Sequence, residues 1–294
     1  MNAMPPTTAT TTRISRRFAE LASAGDLGLI AYITAGDPSL ESTRQIVLAA
    51  AEAGADIIEL GVPFSDPLAD GPTIQRASER SLRAGTTLAG VLDLVTSIRR
   101  ESEVPLVLFS YYNPVLQMGL ENFAARASKA GADGALITDL TPEEAGAYRT
   151  ALHAHGMDTI FLAAPTTTDE RFTRIAEATT GFLYLISRTG VTGAREAMPE
   201  DLPALVRRAR HATNLPLAIG FGISLPGHVS ILGGLADAAV VGSALVEEIE
   251  RAASSADSTS SAGTPAAAAS AVAARIRLLK QAAGKGMSRR EAHS

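Results

Sequence analysis

The stretch "IIELGVPFSDPLADGPTIQ", residues 57–75, carries three carboxylates that a fold alone does not require. Glu59 interrupts Ile57, Ile58 and Leu60, a run that reads as a buried strand. Glu is poorly suited to a strand, and a carboxylate among aliphatic side chains carries a desolvation cost that raises its pKa unless a partner offsets it. A structural pair with an arginine is the alternative to a functional role. Asp70 comes eleven positions later, across a loop at 61–73 that holds Gly61, Pro63, Pro67, Gly71 and Pro72. So many helix breakers predict an ordered or closing loop, able to fold Asp70 back towards Glu59. Two carboxyl groups in different surroundings are the usual source of one acid and one base near neutral pH. Turn capping is the alternative for both Asp66 and Asp70, and Asp66 reads equally well as a turn cap.

A phosphate site is the second signal. "GFGIS" at 220–224 and "GSALVEEIE" at 242–250 each place glycines and a serine ahead of a helix start, where backbone N–H groups and the helix dipole favour an anion. Gly222 and Gly242 also suit turns that need positive φ. A longer Gly-rich segment, "SRTGVTGAREAMP" at 187–199, reads as a lid. Within it Arg188 is a candidate for the phosphate, for Glu59 or Asp70, or for neither. Tyr32, Phe109, Tyr111, Leu136, Tyr184 and Phe221 fall at or near the ends of apolar runs, where such side chains can sandwich a flat ring. Core packing accounts for some of them equally well.

Other chemistries lack the residues they need. Lys129, Lys280 and Lys285 are the only lysines and none ends an apolar run, so a Schiff base has no candidate nucleophile. His153 and His155 lie two apart, on different faces of a helix, and the other histidines are scattered, so no metal site is expected. No P-loop or dinucleotide fingerprint is present. Acid–base chemistry by carboxylates on a phosphorylated substrate remains.

The elements that must position these groups follow from the apolar pattern. Eight short runs begin at residues 27, 56, 105, 134, 158, 182, 216 and 237, and longer amphipathic segments separate them. The runs are continuously apolar, as parallel strands covered on both faces are. "AGADIIELG", "AGADGALITD" and "GGLADAAVVGS" repeat one pattern, a helix ending at Gly, a tight Ala-Asp turn and a strand. Eight such units predict a (β/α)8 TIM barrel, with the site at the carboxyl ends of its strands. Ile14, Phe18 and Leu21 add an N-terminal helix. Residues 1–12 read as a disordered tail, 13–283 as one barrel domain with a low-complexity insertion at about 252–268, and 284–294 as a flexible tail.

At 294 residues, 46% hydrophobic, the chain can bury one large core. A net charge of −5 without long like-charge runs favours neither nucleic acid nor an anionic membrane as partner. Zero cysteines rule out disulfides and thiolate chemistry, and with no signal-peptide pattern the expected location is cytoplasmic.

Over residues 14–250 and the final helix the sequence resembles the tryptophan synthase alpha subunit family. "ELGVPFSDPLADGPTIQ" matches that family's signature, and "YLISRTGVTG", "GFGIS" and "GSALV" follow in the family's order. The resemblance implies retro-aldol cleavage of indole-3-glycerol phosphate to indole and glyceraldehyde 3-phosphate. It implies that Glu59 is the acid–base carboxylate and that Asp70 holds the indole nitrogen. It gives Gly193, Gly222, Gly242 and Ser243 to the phosphate, Thr192 to ordering the lid against Asp70, and Tyr32, Tyr184 and Phe221 to the ring. It implies no cofactor in this chain. The expected partner is a beta subunit that carries pyridoxal phosphate, faces Asp66 and Pro67, and assembles as an alpha-beta-beta-alpha tetramer. Tyr32 stands where Phe is usual, Gly227-His228 departs from the pattern beside a phosphate turn, and the Ala/Ser-rich insertion is foreign to it. A free-standing lyase, an activator subunit of low turnover and an isomerase of a phosphorylated substrate are the alternatives.

Overall fold

All eight apolar runs form parallel strands, and the fifth is divided in two. The computed structural model describes residues 12–186, 201–220, 222–254 and 265–283. The strands are β1 (Gly28–Thr34), β2 (Ile57–Gly61), β3 (Leu106–Ser110), β4 (Gly134–Ile137), β5 (Asp158–Ile160), β6 (Leu162–Ala163), β7 (Leu183–Ile186), β8 (Leu217–Gly220) and β9 (Ala238–Val241). They pair in the order β5-β4-β3-β2-β1-β9-β8-β7-β6. The two ends of that order, β5 and β6, are halves of one run separated by Phe161, whose side chain is buried. The ring therefore closes on itself as an eight-stave TIM barrel in which the fifth stave passes its pairing from β4 to β7.

Around the staves lie α1 (Arg13–Ala24), α2 (Leu40–Glu52), α3 (Pro72–Arg83), α4 (Leu88–Arg99), α5 (Tyr112–Met118), α6 (Leu120–Ala130), α7 (Gly146–Ala154), α8 (Asp169–Ala178), α9 (Leu202–Ala212), α10 (Pro226–Leu232), α11 (Ser243–Ser254) and α12 (Pro265–Ala283). Thr12, Ser39, Thr87 and Thr168 cap four of these helices through their hydroxyls. Thr12, expected in the N-terminal tail, is the N-cap of α1: its hydroxyl accepts the Ser15 N–H and donates to Asp158 at 2.6 Å. Of the insertion expected at 252–268, both flanks are helical, because α11 runs on to Ser254 and α12 begins at Pro265. Residues 255–264 and 284–294 lie outside the described residues.

Period-two alternation divides each strand between two cores. Ile58 and Leu60 point out towards the helices, whereas Ile30, Ile57, Val107, Leu136, Ile160, Phe182, Ala218 and Val240 fill the barrel. Phe18 of α1 plugs its amino-terminal end, 5.7 Å from the ring of Phe182. The repeated Ala-Asp turns have a physical task there. Asp56, Asp133 and Asp237, each just ahead of a strand, accept the N–H of Leu29, Leu106 and Leu217 at the start of the neighbouring strand, at 2.6, 2.8 and 2.8 Å. Arg17 and Arg13 of α1 pair with Asp56 and Asp133, so one helix clamps two of these junctions. With the amino-terminal end sealed in this way, the carboxyl ends are left for function.

Candidate active site

Period two also decides where Glu59 points. Ile57 and Glu59 share the inward face of β2, with Glu59 one layer above the packed core and in register with Tyr32 of β1. Glu59 is completely buried, and neither carboxyl oxygen has a hydrogen-bond partner among the described residues. The arginine pair offered as the structural alternative is not found among them. Burial without compensation pushes the Glu59 carboxyl up to about 8, so near neutral pH it is a neutral acid holding a proton it can give away.

The loop after β2 brings Asp70 to the same place. The Asp70 N–H bonds the Pro67 carbonyl at 3.0 Å, and the Gln75 side-chain amide donates to the Asp70 carbonyl at 2.9 Å. Asp70 lies just ahead of Gly71, the N-cap of α3, and Pro72 opens that helix where its missing N–H costs nothing. Helix therefore starts inside the expected loop 61–73. Tyr111, just past the end of β3, tethers the loop: its hydroxyl accepts the Ala69 N–H at 3.0 Å, and its ring packs 5.0 Å from Phe64. Burial raises the Asp70 carboxyl to about 6, with the Tyr111 hydroxyl holding it back from rising further. The two carboxyls thus differ in the direction acid–base work requires, Asp70 ionised and Glu59 protonated near neutrality.

Two tyrosines roof the space between them. A Cβ on Gly61 would sit 2.1 Å from the Tyr32 hydroxyl, and one on Gly220 would sit 2.5 Å from that of Tyr184. Glycine is therefore the residue that lets each strand end pass beneath a phenol. Both phenols resist ionisation, first because they are buried and then because carboxylates face them, Asp70 and Glu59 for Tyr32 and Glu59 for Tyr184. Phe109 meets Tyr32 edge to face at 5.3 Å. Of the six side chains expected to flank a ring, Tyr32, Tyr184 and Phe109 converge here. Leu136 belongs to the barrel core, Tyr111 serves the loop, and Phe221 lies outside the described residues.

The two turns expected to hold a phosphate follow β8 and β9. Gly222 follows β8 at φ +80°, a conformation that side chains avoid, and Gly242 links β9 to α11 beside the Cβ of Tyr32, 3.6 Å from the position its own Cβ would take. Ser243 starts α11, whose first intrahelical donors are Leu245 and Val246, both bonded to the Gly242 carbonyl. The N–H groups of Ser243 and Ala244 precede them, and no acidic residue occupies the first turn, so the helix end suits an anion. The Gly227-His228 departure is absorbed: His228 is buried and its Nδ1 accepts the Ser224 N–H at 3.4 Å, while Gly227 faces open space. Thr192, Gly193, Arg188 and the whole expected lid at 187–199 lie outside the described residues. At the tip of the Asp70 loop Asp66 is exposed, Pro67 half-buried and Leu68 93% exposed. Leu68, Gln75 and the tethering role of Tyr111 escaped the sequence reading. An apolar residue amid turn formers was the available signal for Leu68.

Glu59 makes a prediction about stability. A carboxyl whose folded pKa is raised contributes stability below its ordinary value, and that contribution is lost as pH climbs through about 8. Glu59→Gln keeps the shape and abolishes the ionisation, so the variant should be roughly 3 kcal/mol more stable than the wild type at pH 7. Thermal unfolding should read this as a rise in Tm of several degrees that shrinks towards pH 5. A lower Tm for the variant at pH 7 would contradict the uncompensated burial.

Residues 18–274 match the family model described as tryptophan synthase alpha chain. The tryptophan synthase alpha chain of Solibacter usitatus is 56% identical over 245 residues, 83% of this chain and 92% of the relative. That of Caulobacter sp. strain K31 is 51% identical over 242 residues, 82% and 88% of the two chains. Among solved structures, Mycobacterium tuberculosis tryptophan synthase superimposes with a TM-score of 0.84 at 33% identity, covering 94% of this chain and 99% of the other. A tryptophan synthase complex from Pyrococcus furiosus gives 0.77 at 40% identity, with 86% and 98% covered.

Proposed function

Because the chain belongs to the tryptophan synthase alpha chain family, we infer that it cleaves indole-3-glycerol phosphate to indole and glyceraldehyde 3-phosphate, and that Glu59 and Asp70 carry the reaction. The observation that carries this reading is the buried, unpartnered carboxyl of Glu59, held as a neutral acid inside the mouth of the barrel.

The chemistry closes its own proton balance. Glu59 delivers its proton to the ring carbon that bears the side chain, and the ring nitrogen takes up the positive charge. The resulting Glu59 carboxylate takes the proton from the hydroxyl on the adjoining side-chain carbon. The bond between those two carbons then breaks, its electron pair returns to the ring, and the hydroxyl carbon leaves as the aldehyde. Glu59 ends as it began. Asp70, ionised near neutrality, accepts the ring N–H and stabilises the charge that develops there, which is the kind of preorganised electrostatic support that lowers such barriers most. Tyr32 and Tyr184 border the ring, joined by Phe221 by family likeness. Gly222, Gly242 and Ser243 hold the phosphate, with Gly193 completing the site and Thr192 ordering the lid against Asp70.

The chain works in the cytoplasm and needs no cofactor of its own. A beta subunit carrying pyridoxal phosphate takes the indole, in an alpha-beta-beta-alpha tetramer. The tip at Asp66, Pro67 and Leu68 supports that docking, since an exposed leucine on the loop that carries Asp70 is apolar area awaiting cover. Product analysis of the chain with indole-3-glycerol phosphate and its beta partner tests the reading. Free indole and glyceraldehyde 3-phosphate in equal amounts are expected, whereas a product of unchanged mass would make the enzyme an isomerase.

A further inference from the structure

The loop that carries Asp70 is moored to α3, through Gln75 and through its continuity with the N-cap at Gly71. What fixes α3 therefore fixes Asp70. Two turns further along that helix, Arg80 makes contacts to two other elements of the same face. Its Nε and Nη2 donate to Oδ1 and Oδ2 of Asp37 at 2.8 and 2.7 Å, and its Nη1 donates to Oε1 of Glu250 at 2.7 Å. Asp37 lies in the loop that leaves β1, and its carboxyl is 1% exposed. Glu250 lies on α11, the helix whose first residue is Ser243. Arg76 of α3 reinforces that second link with its own paired contacts to Glu250, at 3.1 and 2.9 Å. The neighbouring Ser81 hydroxyl donates to the Ala35 carbonyl at 2.6 Å, so α3 meets the β1 loop at two successive residues.

We propose that Arg80 is a positioning residue for the cleavage reaction: by pairing with Asp37 and Glu250 it locks α3, and with it Asp70, against the β1 loop and the phosphate helix α11. This rests on the reaction proposed above. The geometry asks for arginine in particular. A planar guanidinium meets both oxygens of a buried carboxylate with one edge and still has an N–H for a second acceptor, whereas an ammonium supplies the charge without the fork. A pair whose only task was to neutralise Asp37 would accept lysine. A clamp that sets the angle of α3 would not. Misplacing Asp70 alters the pose of the ring after binding, so the loss belongs in kcat more than in KM, and a displacement of about 1 Å is enough to cost ~10²-fold.

The test uses the complex with the beta partner and compares the wild type with Arg80→Lys and Asp37→Asn, two variants because either alone could lower the yield of folded protein. Rates of indole release per mole of folded enzyme are measured together with hydrogen exchange, by mass spectrometry, over the segment 64–76. The clamp predicts for Arg80→Lys a kcat lower by ~10-fold or more with KM within about threefold, since the ring pose and not the phosphate grip is lost. It predicts faster exchange at Ala69 and Asp70, whose N–H groups bond Tyr111 and Pro67, with α7 and α8 unchanged, and the same direction for Asp37→Asn. Wild-type kcat in Arg80→Lys, or unchanged exchange at 64–76 in both variants, overturns the assignment. Exchange is read without turnover, so a wild type that releases no indole contradicts the proposed reaction and leaves the exchange result to decide on Arg80.

Discussion

Glu59→Gln should lose indole release by ~10²- to 10⁴-fold, the usual worth of a positioned acid–base group, and should do so in kcat. The amide keeps the volume of the side chain and its place between Ile57 and the roof of tyrosines, so substrate binding should change little. It has no proton to give to the ring carbon and cannot take one from the hydroxyl. The same variant should be more stable than the wild type, because the uncompensated ionisation goes with the carboxyl. Lower activity with higher Tm in one protein separates chemistry from unfolding. Comparable rates in Glu59→Gln and wild type would remove Glu59 from its role.

Asp70→Asn has the second largest expected effect. Its amide oxygen still accepts a hydrogen bond from the ring N–H but brings no charge to the nitrogen that becomes cationic as the ring carbon is protonated. Loss of one such electrostatic contact typically costs ~10²- to 10³-fold. The Tyr111 tether and the Gln75 contact to the Asp70 carbonyl do not depend on the charge, so the loop should stay in place. Steady-state kinetics should show the loss in kcat. A variant with wild-type kcat would mean that Asp70 only caps its loop, the alternative the sequence leaves open for Asp70 and Asp66 alike.

The barrel was legible because continuous apolar runs and Ala-Asp turns recur at the spacing of strand and crossover helix, and each of those turns holds an N–H at the start of a neighbouring strand. The split of the fifth stave was not legible. Which neighbour a strand pairs with is decided by closure of the ring, and "DTIFLAA" carries no mark of it. Glu59 stood out because it breaks a local rule, a charge within a strand, and Asp70 because its Pro/Gly-rich loop can fold it back towards Glu59. Arg80 broke none. A charged residue on an amphipathic helix is the ordinary pattern, and its partners lie 43 and 170 residues away in sequence, so only the fold brings them together. The tether made by Tyr111 was hidden for a related reason: an aromatic residue at a strand end reads as part of a pocket wall, and the backbone N–H it serves belongs to a loop that sequence alone cannot place.

The pH dependence of single-turnover indole release by the wild-type complex tests the account most directly, because it asks both whether the bond is cleaved and which protonation states cleave it. Asp70 must be ionised, so the rate at limiting substrate should fall as pH drops through about 6, and Glu59 must begin protonated, so that rate should also fall as pH rises through about 8. A bell centred near neutrality is the predicted result, reported as the apparent values of the pair. A rate that keeps climbing beyond pH 8, or a complex that forms no indole at any pH, would contradict it.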